Sequence, residues 1–274
     1  MTLNHGFMDV LMNKLSAPLN ELNELVSNEI FIGKNINFGI LNFLGVFVLR
    51  NPFSKQVFEY YRSAYLLSKT ALERQPYHLT MVRAAHNHEL NRILFEPEFI
   101  NIVSGFFNGN VGSDYVNIFR KDKYDKKPVF LHQDSSYIIG DFNKYSIFIS
   151  LTECYNENGG LSVYPGTHHY GHLGDAGEIA ADILPNGYPK IKINTKPGDV
   201  LIMHSAIWHE SPENQDLTER VYLEIKIRDA NDSSTKTVIC GHRNSLWANS
   251  LTPDEIFKNS RAQKLRDLYS KIEK

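Results

Sequence analysis

The chain has 274 residues and a mass of 31.4 kDa, which fits one large β-rich domain or two small ones. Hydrophobic residues make up 42% of the chain and charged residues 22%, which excludes a disordered, collagen-like or coiled-coil protein. The net charge of −2 provides no cationic field for a phosphate backbone, so we expect no nucleic-acid partner.

The two cysteines, Cys154 and Cys240, fit a protein of a reducing compartment better than a secreted domain held together by disulfides. Residues 1–14 contain no basic leader followed by an apolar block, so no secretory signal is predicted. The longest uncharged run, residues 35–49, is shorter than the about 18 apolar residues that a membrane span requires. We therefore expect a cytoplasmic protein with no membrane contact.

The N-terminal part is predicted to be helical around one strand. Apolar residues recur every three or four positions over residues 7–30, which predicts an amphipathic helix broken near Pro18, within an N-terminal helical extension over residues 1–35. Residues 45–50 are predicted to form a strand. Ser54 is a suitable N-cap, and the apolar residues that follow it share one face, so a second helix is expected there.

From about residue 115 the apolar period changes from about 3.6 to 2, which is typical of strands. The predicted strands are residues 145–151, 190–193, 200–204 and 221–227, with turns at residues 158–160, 165–166 and 197–199. Residues 252–274 are predicted to form a C-terminal helix. This pattern predicts a mainly β fold with flanking helices, a β-sandwich or jelly roll, in a single domain over residues 1–274 whose core spans about 40–230.

A His-x-Asp pair, His132 and Asp134, is the first candidate for metal chemistry. In an extended segment, residues two apart point to the same face, so the imidazole and the carboxylate could meet one ion. The pair is weak support by itself, because about one His-x-acid pair is expected by chance in a chain with 11 histidines and 31 acidic residues.

His209 and Arg220 give that pair a context. Two imidazoles and one carboxylate form the facial triad of non-haem Fe(II) oxygenases, which leaves positions open for a co-substrate and O2. Arg220 suits the far carboxylate of a dicarboxylic keto acid, because a guanidinium binds a carboxylate through two parallel hydrogen bonds. The residues alone leave two alternatives open: a cupin-like metal enzyme that uses no 2-oxoglutarate, and a keto-acid-binding protein without catalysis.

Five segments, taken in order, resemble the phytanoyl-CoA dioxygenase family: Leu131–Asp134, Asn158–His168, Pro197–Val200, His209–Asn214 and Arg220. The resemblance extends upstream to residues 45–50 and the helix after Ser54. Members of this family are Fe(II)- and 2-oxoglutarate-dependent oxygenases built on a double-stranded β-helix, a cupin-like jelly roll. The resemblance implies the same fold and a dioxygenase that uses Fe(II), 2-oxoglutarate and O2 and releases succinate and CO2.

The resemblance also implies roles for individual residues. His132, Asp134 and His209 are expected to ligate the iron, and no catalytic residue is implied beyond these ligands. Arg220 is expected to form a salt bridge with the distal carboxylate of 2-oxoglutarate, and Ser211 matches the hydroxyl that binds the same carboxylate.

Three residues are predicted to contact the substrate: Tyr137, Tyr164 and Glu210. Glu210 stands where the family usually has a small residue after the second metal histidine, so it adds a charge near the pocket. We therefore expect a small, polar substrate, such as a metabolite, a sugar or a natural product, that is hydroxylated or otherwise oxidised. The oligomeric state is left open.

His204 is a rival for the second imidazole, because it lies five residues before His209 at the end of a predicted strand. Ser211 and Arg220 fall at the offsets of the family only from His209. His204 is therefore expected to be packed in the core or to orient a ligand through a hydrogen bond.

Two polar segments are expected at the surface. His168, His169 and His172 follow a Pro-Gly turn and are expected on a solvated loop beside the mouth of the active site. The charge-rich residues 120–127 are expected to form a second solvated loop near the entrance.

Overall fold

The described α-helices all lie before the long strand over residues 111–121. The computed structural model describes residues 19–68, 73–74, 80–83, 88–124, 127–134, 142–172, 179, 183–232 and 234–243. The α-helices within these residues are α1 (Leu19–Ser27), α2 (Phe38–Leu44), α3 (Lys55–Ser68), α4 (His88–Asn91) and α5 (Pro97–Val103). None of these described helices is long and apolar enough to cross a bilayer.

Two helices lie where the sequence predicts them. Helix α1 lies inside the predicted segment 7–30, of which residues 7–18 lie outside the described residues. Helix α3 begins after Ser54, whose Oγ accepts a hydrogen bond from the backbone N–H of Val57 at 3.4 Å. The predicted C-terminal helix over residues 252–274 lies outside the described residues.

Strands dominate the rest of the described chain. They are β1 (Ile32–Gly33), β2 (Val46–Leu49), β3 (Glu73–Arg74), β4 (Thr80–Arg83), β5 (Val111–Lys121), β6 (Val129–His132), β7 (Tyr145–Ser150), β8 (Ser162–Tyr164), β9 (Ile191–Lys192), β10 (Val200–His204), β11 (Trp208–Ser211), β12 (Arg220–Asp229) and β13 (Thr237–Cys240).

The strands form two sheets. The larger sheet has the order β1-β2-β10-β7-β12-β5-β4-β3, with β13 also paired to β5, and the smaller sheet has the order β6-β11-β8-β9. Neighbouring strands are antiparallel except for β1 and β2, which are parallel. This arrangement is the double-stranded β-helix that the family resemblance implies.

The larger sheet is covered on both faces, as strand β2 shows. Its four residues are all buried. Val46 and Val48 pack in the core between the two sheets, whereas Phe47 and Leu49 pack against the helices. Because side chains alternate along a strand, a sheet covered on both faces has no solvent-facing row in its central strands.

Strand β12 is also buried on both faces, but one of its faces carries mainly polar side chains. Val221, Leu223 and Ile225 pack in the cluster on the helix side of the sheet, and Tyr222 packs in the cluster between the sheets. The face of Tyr222 therefore also carries the even-numbered residues 220, 224, 226 and 228, which are all buried. This polar row runs through the space between the sheets and sets the position of the site.

The smaller sheet also has two distinct faces. Val163 belongs to the core between the sheets, and it pairs directly with His209. The other face is covered by an outer cluster, which we define by its buried members Leu131, Tyr170, Leu184 and Trp208.

Candidate metal centre

Two neighbouring strands of the smaller sheet bring two histidines together. His132 ends β6 and lies directly opposite His209 of β11, with ring centroids 4.3 Å apart. Asp134 follows His132 by two residues, and its Oδ1 lies 3.6 Å from Nε2 of His132 and 3.5 Å from Nε2 of His209. The ligand atoms of the three side chains lie within 4.8 Å of one another.

This spacing fits one shared metal ion. Two ligand atoms bonded to one ion at about 2.1 Å lie at most about 4.2 Å apart, and both distances from Asp134 Oδ1 are shorter than that. Nδ1 of His132 lies 2.7 Å from the carbonyl oxygen of Phe130, and Nδ1 of His209 lies 3.0 Å from that of Ile207. A carbonyl only accepts, so each Nδ1 donates and each Nε2 is left as the ligand nitrogen.

The charges around the three side chains favour the protonation states that metal binding requires. Burial raises the pKa of Asp134, but the opposing influence of its neighbours, chiefly the Lys226 ammonium, holds this pKa well below its usual value. Burial and the neighbouring His132 lower the pKa of His209. An ionised carboxylate and a neutral imidazole are the forms that bind a metal. Within the described parts of the chain, no other group of His, Cys, Asp or Glu side chains has this spacing.

A buried lysine contacts the second oxygen of the same carboxylate. The Nζ of Lys226 donates to Oδ2 of Asp134 and to Oγ of Ser146, and that hydroxyl donates to the same Oδ2 at 3.0 Å. Lys226 also forms an ion pair with Glu224 at 3.3 Å. Lys226 is not among the predicted site residues, although positions two apart in β12 put it on the strand face of Arg220.

A group of cations and hydroxyls lies at the other end of that strand face. Nη2 of Arg220 donates to Oγ of Ser211 at 3.2 Å, and its Nε donates to the carbonyl of Gly159 at 2.9 Å. Ser211 Oγ donates to the same carbonyl at 2.7 Å. Lys121 of β5 lies opposite Arg220, and its Nζ donates to Ser211 Oγ at 3.1 Å. The structure thus brings the predicted pair Arg220 and Ser211 together and adds Lys121.

Lys121 corrects one expectation from the sequence. Residues 120–127 were expected on a solvated loop, but Arg120 and Lys121 end strand β5, and Lys121 is fully buried. Arg120 points to the other face, where it pairs with Glu219 at 2.7 Å. Gly159 accommodates the lysine stem: it has a φ of +85°, and a β-carbon at this position would lie 2.5 Å from Cδ of Lys121.

Two of the three predicted substrate residues, Glu210 and Tyr164, lie on the face of the smaller sheet opposite to the metal candidates. Glu210 follows His209 in β11, so its side chain projects to the opposite face of the smaller sheet, where it forms an ion pair with Lys190. Tyr164 packs against the outer cluster on that same face. Both side chains are thus separated from the three metal candidates by the smaller sheet. Tyr137 lies outside the described residues.

Two further histidines of the described residues, His168 and His204, are buried and pack against each other. His204 is 4% exposed, as its predicted packing role requires, and its Nδ1 accepts a hydrogen bond from Ala206 N–H at 3.1 Å. His168 was expected on a solvated loop, which is wrong: it is 6% exposed, and its ring packs 5.0 Å from that of His204. Its Nε2 lies 2.9 Å from the carbonyl of Asn42 at the end of α2.

Several solved structures share this fold. The non-heme alpha ketoglutarate dependent carbocyclase SnoK from nogalamycin biosynthesis aligns over 80% of this chain and 92% of its own, with a TM-score of 0.62 and 19% identity. The epimerase SnoN from the same biosynthesis aligns over 71% and 82%, with a TM-score of 0.61 and 14% identity. EvdO2 from Micromonospora carbonacea var. aurantiaca, complexed with 2-oxoglutarate, aligns over 70% and 89%, with a TM-score of 0.57 and 18% identity.

The sequence itself matches a family model. A search among curated proteins finds no match to this chain. The model of the phytanoyl-CoA dioxygenase family matches residues 45–220, which is well over half of the chain and includes all three metal candidates and Arg220. The chain therefore belongs to the phytanoyl-CoA dioxygenase family.

Proposed function

We propose that this protein is an Fe(II)- and 2-oxoglutarate-dependent oxygenase that hydroxylates, or otherwise oxidises, a small polar molecule. One observation carries the proposal: a His-Asp-His triad and a buried Arg220–Ser211 pair lie in the same space between the two sheets. Family membership supports it, and so does the 2-oxoglutarate bound by the structurally similar EvdO2.

The triad would hold the ion through Nε2 of His132, Nε2 of His209 and Oδ1 of Asp134. Three protein ligands leave positions open for the two oxygens of a keto acid and for O2. When bound, iron and 2-oxoglutarate supply the oxidising chemistry, in which the keto acid is decarboxylated to succinate and CO2 and a C–H bond of the substrate is oxidised by O2.

Arg220 would bind the distal carboxylate of 2-oxoglutarate. Its hydrogen bonds to Gly159 and Ser211 fix the plane of the guanidinium before the co-substrate arrives. The ring of Tyr222 lies 5.0 Å from the guanidinium carbon, so an apolar wall keeps water from one side of the charge. A carboxylate bound there is therefore recognised in a fixed orientation with little competition from solvent.

The buried Arg220–Ser211 pair also favours this function over a metal enzyme that uses no keto acid, but it does not separate it from a keto-acid-binding protein. A cupin-like metal enzyme that uses no keto acid needs neither residue. A keto-acid-binding protein would need the whole site, and it differs from the oxygenase only in its failure to turn over.

The substrate is proposed to be a polar metabolite, sugar or natural product. Asn117 of β5 lies opposite Glu224 and is 5% exposed, and its Oδ1 has no hydrogen-bond partner among the described residues. A buried acceptor of this kind suits the O–H or N–H group of a ligand. SnoK and SnoN, which share the fold, are enzymes of nogalamycin biosynthesis, and this supports a natural-product substrate.

We further propose that the chain forms a single domain and that it is located in the cytoplasm. Cys154 is buried, Cys240 is partly buried, and both are free thiols, which suits a reducing compartment.

The proposed function is tested by measuring succinate release. Protein loaded with Fe(II) without oxygen is supplied with O2, 2-oxoglutarate and a panel of polar metabolites, and a substrate is expected to accelerate succinate formation. Asp134→Ala should abolish the iron-dependent turnover, and Arg220→Ala should raise the KM for 2-oxoglutarate by about tenfold or more. An unchanged KM in Arg220→Ala would contradict the role of Arg220. Binding of 2-oxoglutarate without any succinate would favour the non-catalytic alternative.

A further inference from the structure

The two oxygens of the Asp134 carboxylate have different surroundings. Oδ1 faces the imidazoles of His132 and His209 at 3.6 and 3.5 Å. Oδ2 accepts hydrogen bonds from Nζ of Lys226 and from Oγ of Ser146. Only Oδ1 therefore faces the two imidazoles that would bind the metal, whereas Oδ2 is hydrogen-bonded to side chains of the larger sheet.

This division matters because a carboxylate can bind a metal through one oxygen or through both. Binding through both oxygens would occupy a further coordination position. The proposed reaction needs three open positions, two for the keto acid and one for O2. A charge-assisted hydrogen bond from an ammonium group competes directly with a second metal–oxygen bond at Oδ2.

The ammonium group of Lys226 is itself held in place. Its three N–H donors meet three acceptors: Oδ2 of Asp134, Oγ of Ser146 and Oε1 of Glu224. Lys226 and Glu224 are 1% and 2% exposed, so the donor direction is fixed by packing as well as by hydrogen bonds. The stem of Lys226 starts from β12 on the strand face that also carries Arg220.

We propose that Lys226 is a positioning residue that restricts Asp134 to a single metal bond and so keeps open a coordination position that 2-oxoglutarate needs. The inference rests on the proposed function and deepens it. A merely structural ion pair would support folding and would change metal and 2-oxoglutarate binding together. A residue that restricts Asp134 to a single metal bond changes the affinity for 2-oxoglutarate, whereas the protein without that residue still binds the metal.

The test compares three variants with the wild type. Lys226→Met alone would remove the ion-pair partner of the buried Glu224 carboxylate, which is strongly destabilising, so the main variant is Lys226→Met combined with Glu224→Gln. Glu224→Gln alone is the matched control, because it loses the same carboxylate but keeps Lys226 on Asp134. Lys226→Arg keeps a cationic donor and tests rescue.

Two dissociation constants are measured for each variant without oxygen. Fe(II) binding to the apo-protein comes first, and 2-oxoglutarate binding to the Fe(II) form follows through its visible charge-transfer absorption. In the double variant we expect Fe(II) affinity within about threefold of the wild type or tighter, and a 2-oxoglutarate Kd that is about tenfold higher or more. Glu224→Gln and Lys226→Arg should keep the 2-oxoglutarate Kd within about threefold of the wild type.

Two results would overturn the inference: a wild-type 2-oxoglutarate Kd in the double variant, or a loss of Fe(II) and 2-oxoglutarate binding together. If the double variant does not fold, as judged by circular dichroism, Lys226→Met combined with Glu224→Leu replaces it, because apolar residues of similar size can replace a buried ion pair without loss of stability. A weaker 2-oxoglutarate affinity is then expected in this variant, and an unchanged affinity overturns the inference. A wild type that binds Fe(II) but shows no absorption with 2-oxoglutarate overturns the proposed function instead.

Discussion

The Ser211 hydroxyl connects the groups proposed to bind the far end of 2-oxoglutarate. It accepts hydrogen bonds from Arg220 and Lys121 and donates one to the Gly159 carbonyl. Ser211→Ala removes all three, so we expect the Kd of 2-oxoglutarate to rise about tenfold, because hydrogen bonds to charged groups contribute about 1.5–3 kcal/mol. Calorimetric titration of the Mn(II) form measures this change.

Ser211→Thr is the control for this prediction, since it keeps the hydroxyl. It should bind 2-oxoglutarate more tightly than Ser211→Ala does. Equal affinity in the two variants would show that the hydroxyl has no part in co-substrate binding.

The buried histidines predict an acid-sensitive fold. Burial, with the imidazoles of His204 and His169, lowers the pKa of His168 from 6.5 to about 3. Burial, with His169 and Lys144, lowers the pKa of His204 to about 4. Below pH 6.5 the unfolded chain takes up protons that the folded chain excludes, so the stability is complete above the unfolded pKa and is lost as the pH falls towards the folded values.

His204→Asn isolates one of these two contributions. Asparagine keeps a hydrogen-bond acceptor for the Ala206 N–H but does not titrate. From pH 6.5 downward, we expect the unfolding free energy of the wild type to fall more steeply than that of His204→Asn. The two slopes should differ by up to about 1.4 kcal/mol per pH unit, because the variant lacks one titrating histidine. Urea unfolding at a series of pH values measures both slopes, and parallel slopes would contradict a neutral, buried His204.

The sequence predicted some site residues and not others, for a physical reason. His132, Asp134, His209 and Arg220 were predicted because they occur together, in the order of the family, whereas a His-x-acid pair alone is expected about once by chance. Lys226 is one lysine in an alternating strand, with no spacing signal. Its role follows only once the polar face of β12 is known to be covered by the smaller sheet.

The junction between α2 and β2 depends on a glycine. Gly45 ends the helix with a φ of +75°, and a β-carbon there would lie 2.4 Å from Nδ1 of His168. Gly45→Ala should therefore lose about 1–2 kcal/mol to backbone strain and about 1–3 kcal/mol more to overpacking. Urea unfolding measures the change.

Gly187→Ala is the matched control for this prediction. Gly187 has a φ of +81°, but its added β-carbon would meet no atom within 4 Å. It should lose only the strain contribution. Equal losses in the two variants would mean that the contact between Gly45 and the His168 ring is not a constraint on this junction.

Strand positions were predicted well where apolar residues alternate over a long segment. The predictions for residues 145–151 and 200–204 match β7 and β10 closely, because both lie at the centre of the larger sheet. The predicted strand 190–193 shortens to Ile191–Lys192, since it pairs with the short β8 at an edge of the smaller sheet. Strand β12 extends to Arg220–Asp229, beyond the predicted 221–227, because its pairing with β5 continues.

The alternation of side chains along a strand also explains why Glu210 and Tyr164 point away from the metal candidates. Glu210 stands between His209 and Ser211, which both face the interior, so a regular strand directs Glu210 outward. Tyr164 occupies the outward position in β8 for the same reason. Nearness along the chain to a ligand therefore does not imply nearness in space.

For the whole molecule, a bound metal would join parts that are distant in sequence. Its three ligands come from β6, β11 and the segment after β6, and Lys226 links the same carboxylate to the larger sheet. Mn(II) at about 100 times its Kd should raise the free energy of unfolding by about 2.7 kcal/mol, and a chelator should reverse the gain. Denaturant unfolding with and without the metal measures this difference.

Asp134→Asn is the control for metal stabilisation, because it keeps the shape of the side chain but removes the charged ligand. The gain from Mn(II) should largely disappear in this variant. An equal gain in wild type and Asp134→Asn would place the metal elsewhere on the protein.

The most direct test of the proposed iron and 2-oxoglutarate site is an anaerobic absorbance titration. Apo-protein is titrated with Fe(II) and then with 2-oxoglutarate, and the wild type is compared with His209→Ala and Arg220→Ala. We expect a visible iron-to-keto-acid charge-transfer band that requires both additions and weakens in each variant. Metal binding without such a band in the wild type would contradict the site, and it would favour a cupin-like metal enzyme that uses no keto acid.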